Sequence, residues 1–266
     1  MIRLTIQAGT GQHIGDRSEQ QDRVGFFSSP KAPGYMLAVL ADGMGGKSGG
    51  AMAAEQVITT ARQIFSTFSV GDNVINMLKE FIQESHTLIQ LAGISSEKEP
   101  HSTVVALVIT PMQTAFWAHV GDSRLYHFTG PNFFERTRDH SYVEKLVESG
   151  QITQEEAKKH KLSNILVNVL GAKSMPPYIT VGCCQKLTSN DSFLLCSDGI
   201  WPQFTDEELA STLFSLSPRI ASETLITKAR ERAHGRSDNC TLAIIKLTDT
   251  VIPEQGYAIE KMSRAI

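Results

Sequence analysis

The 266-residue chain is 41% hydrophobic and 20% charged, which suits one large globular domain or two small ones with a core that needs no staples. Its formal net charge of −3 gives no reason to expect general affinity for nucleic acid or anionic lipid. The apolar stretches are too short to span a bilayer and residues 1–9 lack an export pattern, so a cytoplasmic protein is expected.

Strand-like runs open the chain: "IRLTIQAG", "RVGFF" and "MLAVLAD". The last runs into "GMGGKSGG", and apolar residues then recur at 57, 58, 61, 65 and 68, and again at 78, 81, 82, 88 and 89, as on two helices with one buried face. Three further strand-like runs follow closely: "STVVALVIT", "TAFWAHVGD" and "RLYHF". Connections this short predict antiparallel neighbours. Residues 139–172 are more polar and read as mostly helical, including "SNILVNVLG". Strands "YITVGCC" and "DSFLLCSD", helices near 205–215 and 217–234, and a strand "CTLAIIKL" complete the pattern before a tail. The four cysteines, at 183, 184, 196 and 240, lie in strand-like runs without CxxC spacing, which predicts buried, reduced thiols. The whole reads as an α+β sandwich of antiparallel sheets covered by helices.

The glycine run invites a phosphate-loop reading, with Gly46-Lys47-Ser48 at its end. Such loops belong to parallel, crossover-built sheets, whereas the middle of this chain reads as an antiparallel meander, and the first glycine of the strict pattern is Ala41. The aspartates carry more information. Asp42 and Asp198 each end an apolar run and precede glycine, Asp122 ends another, and Asp22 and Asp238 stand just before strands. Asp-Gly is also a common turn dipeptide, so each site alone is weak. If these strand ends share one edge, their carboxylates converge, and such a cluster without histidine or cysteine selects magnesium or manganese. Two such ions would activate water and neutralise a phosphoryl oxygen, and Arg17 could grip phosphate in two-pronged fashion.

The ordered motifs "RSEQQD", "LADGMGG", "STVVALVI", "AHVGDSRLY", "TRDHSYVEKLVESGQITQEEA", "LCSDGIW" and "RSDNCTLAIIKL" resemble those of the metal-dependent serine/threonine protein phosphatases, the PPM or type-2C family, in its small bacterial branch. The resemblance runs from about residue 7 to 247. It implies a four-layer α-β-β-α sandwich of two antiparallel sheets flanked by helix pairs, with the metals at one edge. It implies that Asp42 bridges two manganese or magnesium ions, that the Gly43 carbonyl binds one of them, and that Asp198 and Asp238 complete the set. Asp122 would help hold a third ion with Asp198, Asp22 would orient water, and Arg17 would bind the substrate phosphate. Residues 1–247 would form the phosphatase domain, with 139–172 as a flap beside the site and 248–266 as a tail. Phosphoproteins would be the substrates, a serine/threonine kinase or its targets the partners, and the chain a monomer without nucleic-acid or membrane partners. A catalytically weak, phosphatase-like binding protein is the alternative.

The chain departs from the family pattern at Gln20, Lys47 and Ala51, where asparagine, histidine and glutamate are usual, and His101 replaces a glycine. Met44 stands where some relatives carry a histidine proposed as general acid, which would leave that proton to water or a nearby histidine. Of the other histidines, His119 reads as a core residue, His140 as structural, and His160 as a flap residue within reach of substrate or simply solvated.

Overall fold

In the computed structural model, which describes residues 4–94, 99–173 and 175–249 but not the side chains of 46–48, two five-stranded antiparallel sheets lie face to face. The first sheet carries, in spatial order, β1 (Leu4–His13), β12 (Cys240–Asp249), β11 (Asp191–Cys196), β8 (Arg124–Thr129) and β9 (Asn132–Arg136). The second carries β10 (Thr180–Gln185), β7 (Thr114–Val120), β6 (Val104–Ile109), β3 (Ala32–Ala41) and β2 (Arg23–Ser29). A small ribbon of β4 (Gly43–Met44) and β5 (His101–Ser102) stands beside them. Helices α1 (Gly46–Thr67) and α2 (Val74–Gly93) cover the second sheet, and α5 (Asp206–Ser215) and α6 (Pro218–Arg232) cover the first. The four expected layers are therefore present.

The central strands read as unbroken apolar runs because both of their faces are buried. On β3, Leu37, Val39 and Ala41 face α1 and α2, while Ala38 and Leu40 face the other sheet. On β12, Leu242 and Ile244 face α5 and α6, while Ala243 and Ile245 face inward. The period of two is intact beneath a sequence that shows no alternation. Leu107, Phe193 and Leu195 are fully buried between the sheets, each stabilising the sandwich by about 1.5–3 kcal/mol. Buried Met77, Leu78, Phe81, Ile82 and Ile89 give α2 its single apolar face, and the Asn73 side chain caps it by accepting from the Asn76 amide at 2.9 Å. Thr205 and Glu208 form a capping box on α5, and Glu208 also accepts two hydrogen bonds from Arg232 of α6. Among the described residues no helix is long and apolar enough to cross a membrane.

Four expectations need correction. The runs ending at Val120 and starting at Arg124 are not paired neighbours: β7 lies in one sheet and β8 in the other, so residues 121–123 are a corner between sheets. Gly121 has φ +103°, and a Cβ there would lie 2.6 Å from Thr103 Cγ2, so contact with the start of β6 turns the chain away from a hairpin. Residues 163–171 are not helical. They form a strap, with the Tyr142 amide donating to Ile165 O, the Val167 amide to His140 O, and Leu170 bridging Ser102. Asn168 favours this by spending its side chain on His140 Nδ1 and Tyr178 O. The cysteines divide: Cys196 and Cys240 are buried, whereas Cys183 is exposed and Cys184 half-buried, because β10 is an edge strand. Finally, β9 had no distinct signature, and β12 runs two residues past Leu247. The Lys47 side chain and residues 250–266 lie outside the described residues.

Candidate metal centre

Strand register gathers the aspartates. Arg23 opposes Ala41, Val104 opposes Val120, Cys196 opposes both Arg124 and Leu242, and Cys240 opposes His13. Asp22, Asp42, Asp122, Asp198 and Asp238 thus all leave the sandwich at the same edge, two from the second sheet, two from the first, and Asp122 from the corner between them. Asp42 is the common neighbour. Burial raises its carboxyl well above the ordinary range, followed by repulsion from Asp22, Asp198, Asp122 and Asp238. The Asp22 and Asp198 carboxyls each come within hydrogen-bonding reach of it. Asp22 is pushed up to about 7, by burial first and by Asp198, although the Ser197 hydroxyl donates to its Oδ2 at 2.7 Å and lowers it. Asp198 is pushed up to about 6 by burial and then Asp238, with Arg17 opposing. Burial, then Asp198, raises Asp122 as well.

Among the described residues no three acidic, histidine or cysteine side chains are drawn into a closed ligand shell. The donor set nevertheless fits hard divalent cations. It offers carboxylate oxygens only, and the charge these groups impose on one another is what a cation relieves. Gly43 adds a carbonyl. A Cβ on Gly43 would lie 2.0 Å from Gly50 O, so the backbone approaches as closely there as a glycine permits.

Three residues hold this edge together that were legible only as parts of motifs. Thr103 Oγ1 accepts from the Asp42 amide at 3.1 Å and lies 2.7 Å from Ser123 Oγ, while the Thr103 amide donates to Asp42 O at 2.8 Å. It ties the Asp42 and Asp122 corners together. Asn239 is buried next to Asp238. Its Oδ1 accepts from the Gln21 amide at 2.7 Å, and its Nδ2 donates to Ile14 O at 2.8 Å and Glu19 O at 3.0 Å. It closes the loop that carries Arg17 and Asp22. Trp201 donates from Nε1 to Asp122 O at 3.1 Å, and its ring lies 3.5 Å from the Arg124 guanidinium, which grips Asp139 at 2.8 and 2.7 Å. Burial opposes the Arg124 charge, but the bonds to Asp139 outweigh it and raise its pKa. The available signal was adjacency: Asn239 follows Asp238 and Trp201 lies three residues past Asp198.

Arg17 is exposed, on the loop between β1 and β2, and its Nη2 donates to Asp238 Oδ2 at 2.5 Å. At the departures, Gln20 Oε1 accepts from the Asp22 amide at 3.0 Å while its Nε2 is buried without a hydrogen-bond partner among the described residues, and Met44 pairs across the ribbon with His101. His119 is buried in the core and stacks 4.4 Å from His140, whose pKa burial and then His119 lower to about 3. The Gly121 amide and Asn168 Nδ2 both donate to His140 Nδ1, which anchors the flap to the Asp122 corner. His160 stays in the flap, where its Nδ1 accepts from the Leu162 amide and its ring lies against Tyr142.

Known proteins resemble this chain in sequence and fold. The family profile described as protein phosphatase 2C matches residues 9–232. A putative protein phosphatase 2C-type from Streptococcus pyogenes is 31% identical over 92% of this chain and 97% of its own length. The protein phosphatase PhpP of Streptococcus pneumoniae is 30% identical over 93% and 98%. Among solved structures, the Streptococcus agalactiae serine/threonine phosphatase superposes with a TM-score of 0.84 at 28% identity, covering 91% of this chain and 99% of that one. The catalytic domain of the phosphatase PstP, solved with two manganese ions, gives a TM-score of 0.77 at 25% identity, over 92% and 100%.

Proposed function

Since the chain belongs to the protein phosphatase 2C family and is a manganese- or magnesium-dependent serine/threonine protein phosphatase, we propose that it hydrolyses phosphoserine and phosphothreonine at the Asp42 cluster. One observation carries this assignment: four strand-end carboxylates, from both sheets and the corner between them, converge on Asp42, which no demand of folding explains. Asp42, the Gly43 carbonyl, Asp198 and Asp238 would hold two cations, and Asp122 with Asp198 a weaker third. When bound, the cations supply Lewis acidity that lowers the pKa of water and neutralises charge on the phosphoryl group.

The protein's own groups do the rest. Asp22, fixed by Ser197 and buried beside Asp42, accepts a hydrogen bond from the attacking water and sets its direction. Arg17 donates to the non-bridging phosphate oxygens, and its reach to Asp238 supports that role. Met44 carries no proton, so the leaving oxygen takes one from water or a histidine of the rim. The phosphatase domain, with 139–172 as its flap, extends through Asp249 at the end of β12, and residues 250–266 follow it. A serine/threonine kinase or its targets would be the partners of a cytoplasmic monomer. The test is phosphate release from a phosphothreonine peptide with manganese, with excess EDTA, and by Asp198→Ala. Release that both EDTA and the substitution abolish supports the assignment, and normal activity of Asp198→Ala overturns it.

A further inference from the structure

We propose that the flap presents a docking strip for an acidic, partly apolar segment of the phosphoprotein substrate, formed by Lys159 and Lys161 with Tyr142, Leu162, Ile165 and Val167. The proposal rests on the reading of the Asp42 cluster as the site of phosphoester hydrolysis, and it names the class of substrate brought there.

Charge supplies the first argument. Glu155, Glu156, Lys159, His160, Lys161 and Leu162 wall an open hollow of about 760 Å³ in the flap. Of its two carboxylates, one is paired with a lysine outside the hollow and the other keeps its charge but turns an oxygen to Thr153. Glu155 pairs with Lys158 at 2.6 Å, and Glu156 Oε2 accepts from the Thr153 amide at 2.8 Å and its hydroxyl at 2.9 Å as part of the capping box on α4 (Gln154–Lys158). Lys159 and Lys161 are exposed, and among the described residues neither has a carboxylate within salt-bridge distance. His160 Nδ1 accepts the Leu162 amide at 3.1 Å, so a neutral ring carries its proton on Nε2 as a further donor. The hollow therefore offers two exposed ammonium groups and a donor to whatever enters it.

Apolar exposure supplies the second. Seven of the seventeen large apolar side chains exposed among the described residues fall within 142–181. Concentration of that kind on a water-facing segment marks an interaction surface. Ile165 and Val167, 50% and 37% exposed, alternate about the half-buried Leu166 and so share a face, and Tyr142 lies beside Ile165 through its amide bond to Ile165 O. Leu162 links this face to the lysines.

Continuity with the site supplies the third. The His140 amide donates to Gly121 O, next to Asp122, and the Val167 amide donates to His140 O. Leu170 pairs with Ser102, whose hydroxyl donates to Asp42 O at 3.1 Å. The strip thus hangs at both ends from the corners that bear Asp42 and Asp122 and runs outward to Lys159 and Lys161. A polypeptide whose phosphoresidue sits at Asp42 can extend along it.

The experiment compares three substrates with the manganese-loaded full chain: p-nitrophenyl phosphate, and two phosphothreonine peptides that differ only in glutamates or glutamines placed four to eight residues either side of the phosphothreonine. The acidic peptide should be preferred about five- to tenfold in kcat/KM, through KM, and the gap should shrink in 0.5 M salt. Lys159→Glu with Lys161→Glu should abolish or reverse the preference while p-nitrophenyl phosphate turnover stays unchanged. Equal kcat/KM for the two peptides in the parent chain, or an equal loss on all three substrates, overturns the docking strip. Absence of turnover on every substrate counts against the hydrolytic site instead. Docking is then judged by fluorescence anisotropy of the labelled acidic peptide, and binding indifferent to the lysine substitutions rejects it.

Discussion

Asp22→Asn should make the protein more stable in EDTA at pH 8 while impairing its catalysis. Asp22 is 1% exposed, and its carboxyl is pushed from the ordinary 3.8 to about 7, by burial above all and by Asp198. A folded-state pKa above the unfolded one means that the folded chain keeps a proton that the unfolded chain has already released. The associated stability is full below about pH 4 and is lost as pH rises towards and through 7. Between pH 5 and pH 8 that loss amounts to on the order of 2–3 kcal/mol, or roughly 5–10 °C in Tm for a chain of this size. Buried His140, lowered to about 3, acts in the opposite sense: its contribution is lost as pH falls below the ordinary 6.5. Comparing parent and variant cancels it. Asparagine keeps the shape, can still accept from Ser197, and does not titrate. The assay is thermal unfolding in EDTA across pH 5–8, repeated with manganese. The parent should lose about 5–10 °C more than Asp22→Asn across that range, and manganese should remove the variant's advantage. Parallel curves in EDTA would falsify the claim that Asp22 is held against its charge.

Asn239→Ala removes three hydrogen bonds to the loop carrying Arg17 and should cost about 1–3 kcal/mol of stability. Its loss of kcat/KM should be strongly non-additive with that of Arg17→Ala, because both act through one loop; simple additivity in a double-mutant cycle would refute that. Gly121→Ala forces a Cβ to within 2.6 Å of Thr103 Cγ2 at φ +103°, and should cost on the order of 1–3 kcal/mol. It should also weaken the least tightly bound manganese in a titration followed by calorimetry, and an unchanged binding isotherm would show that the corner does not position Asp122.

The strands with two buried faces were legible as unbroken apolar runs and the helices with one by their apolar period, and both are local properties. The aspartates were legible for a related reason: Asp42, Asp122 and Asp198 each stand beside a glycine at the end of an apolar run, and with Asp22 and Asp238 just before strands they form an ordered pattern of five. Other features had no local signature. Residues 121–123 look like a hairpin connection, and only the fit of Gly121 against Thr103 sends β8 into the opposite sheet. "SNILVNVLG" carries enough apolar residues for a helix, yet pairing with His140, Tyr142 and Ser102 draws it into a strap. Asn239 and Thr103 are unremarkable letters until their partners, far away in sequence, arrive. Residue types and their order therefore determined which chemistry this protein could perform, because hard carboxylate donors are a matter of composition and spacing. Which carboxylates meet, how strongly each is held against its charge, and what reaches them through the flap were decided by tertiary packing, because mutual repulsion and desolvation exist only once the strand ends share one edge.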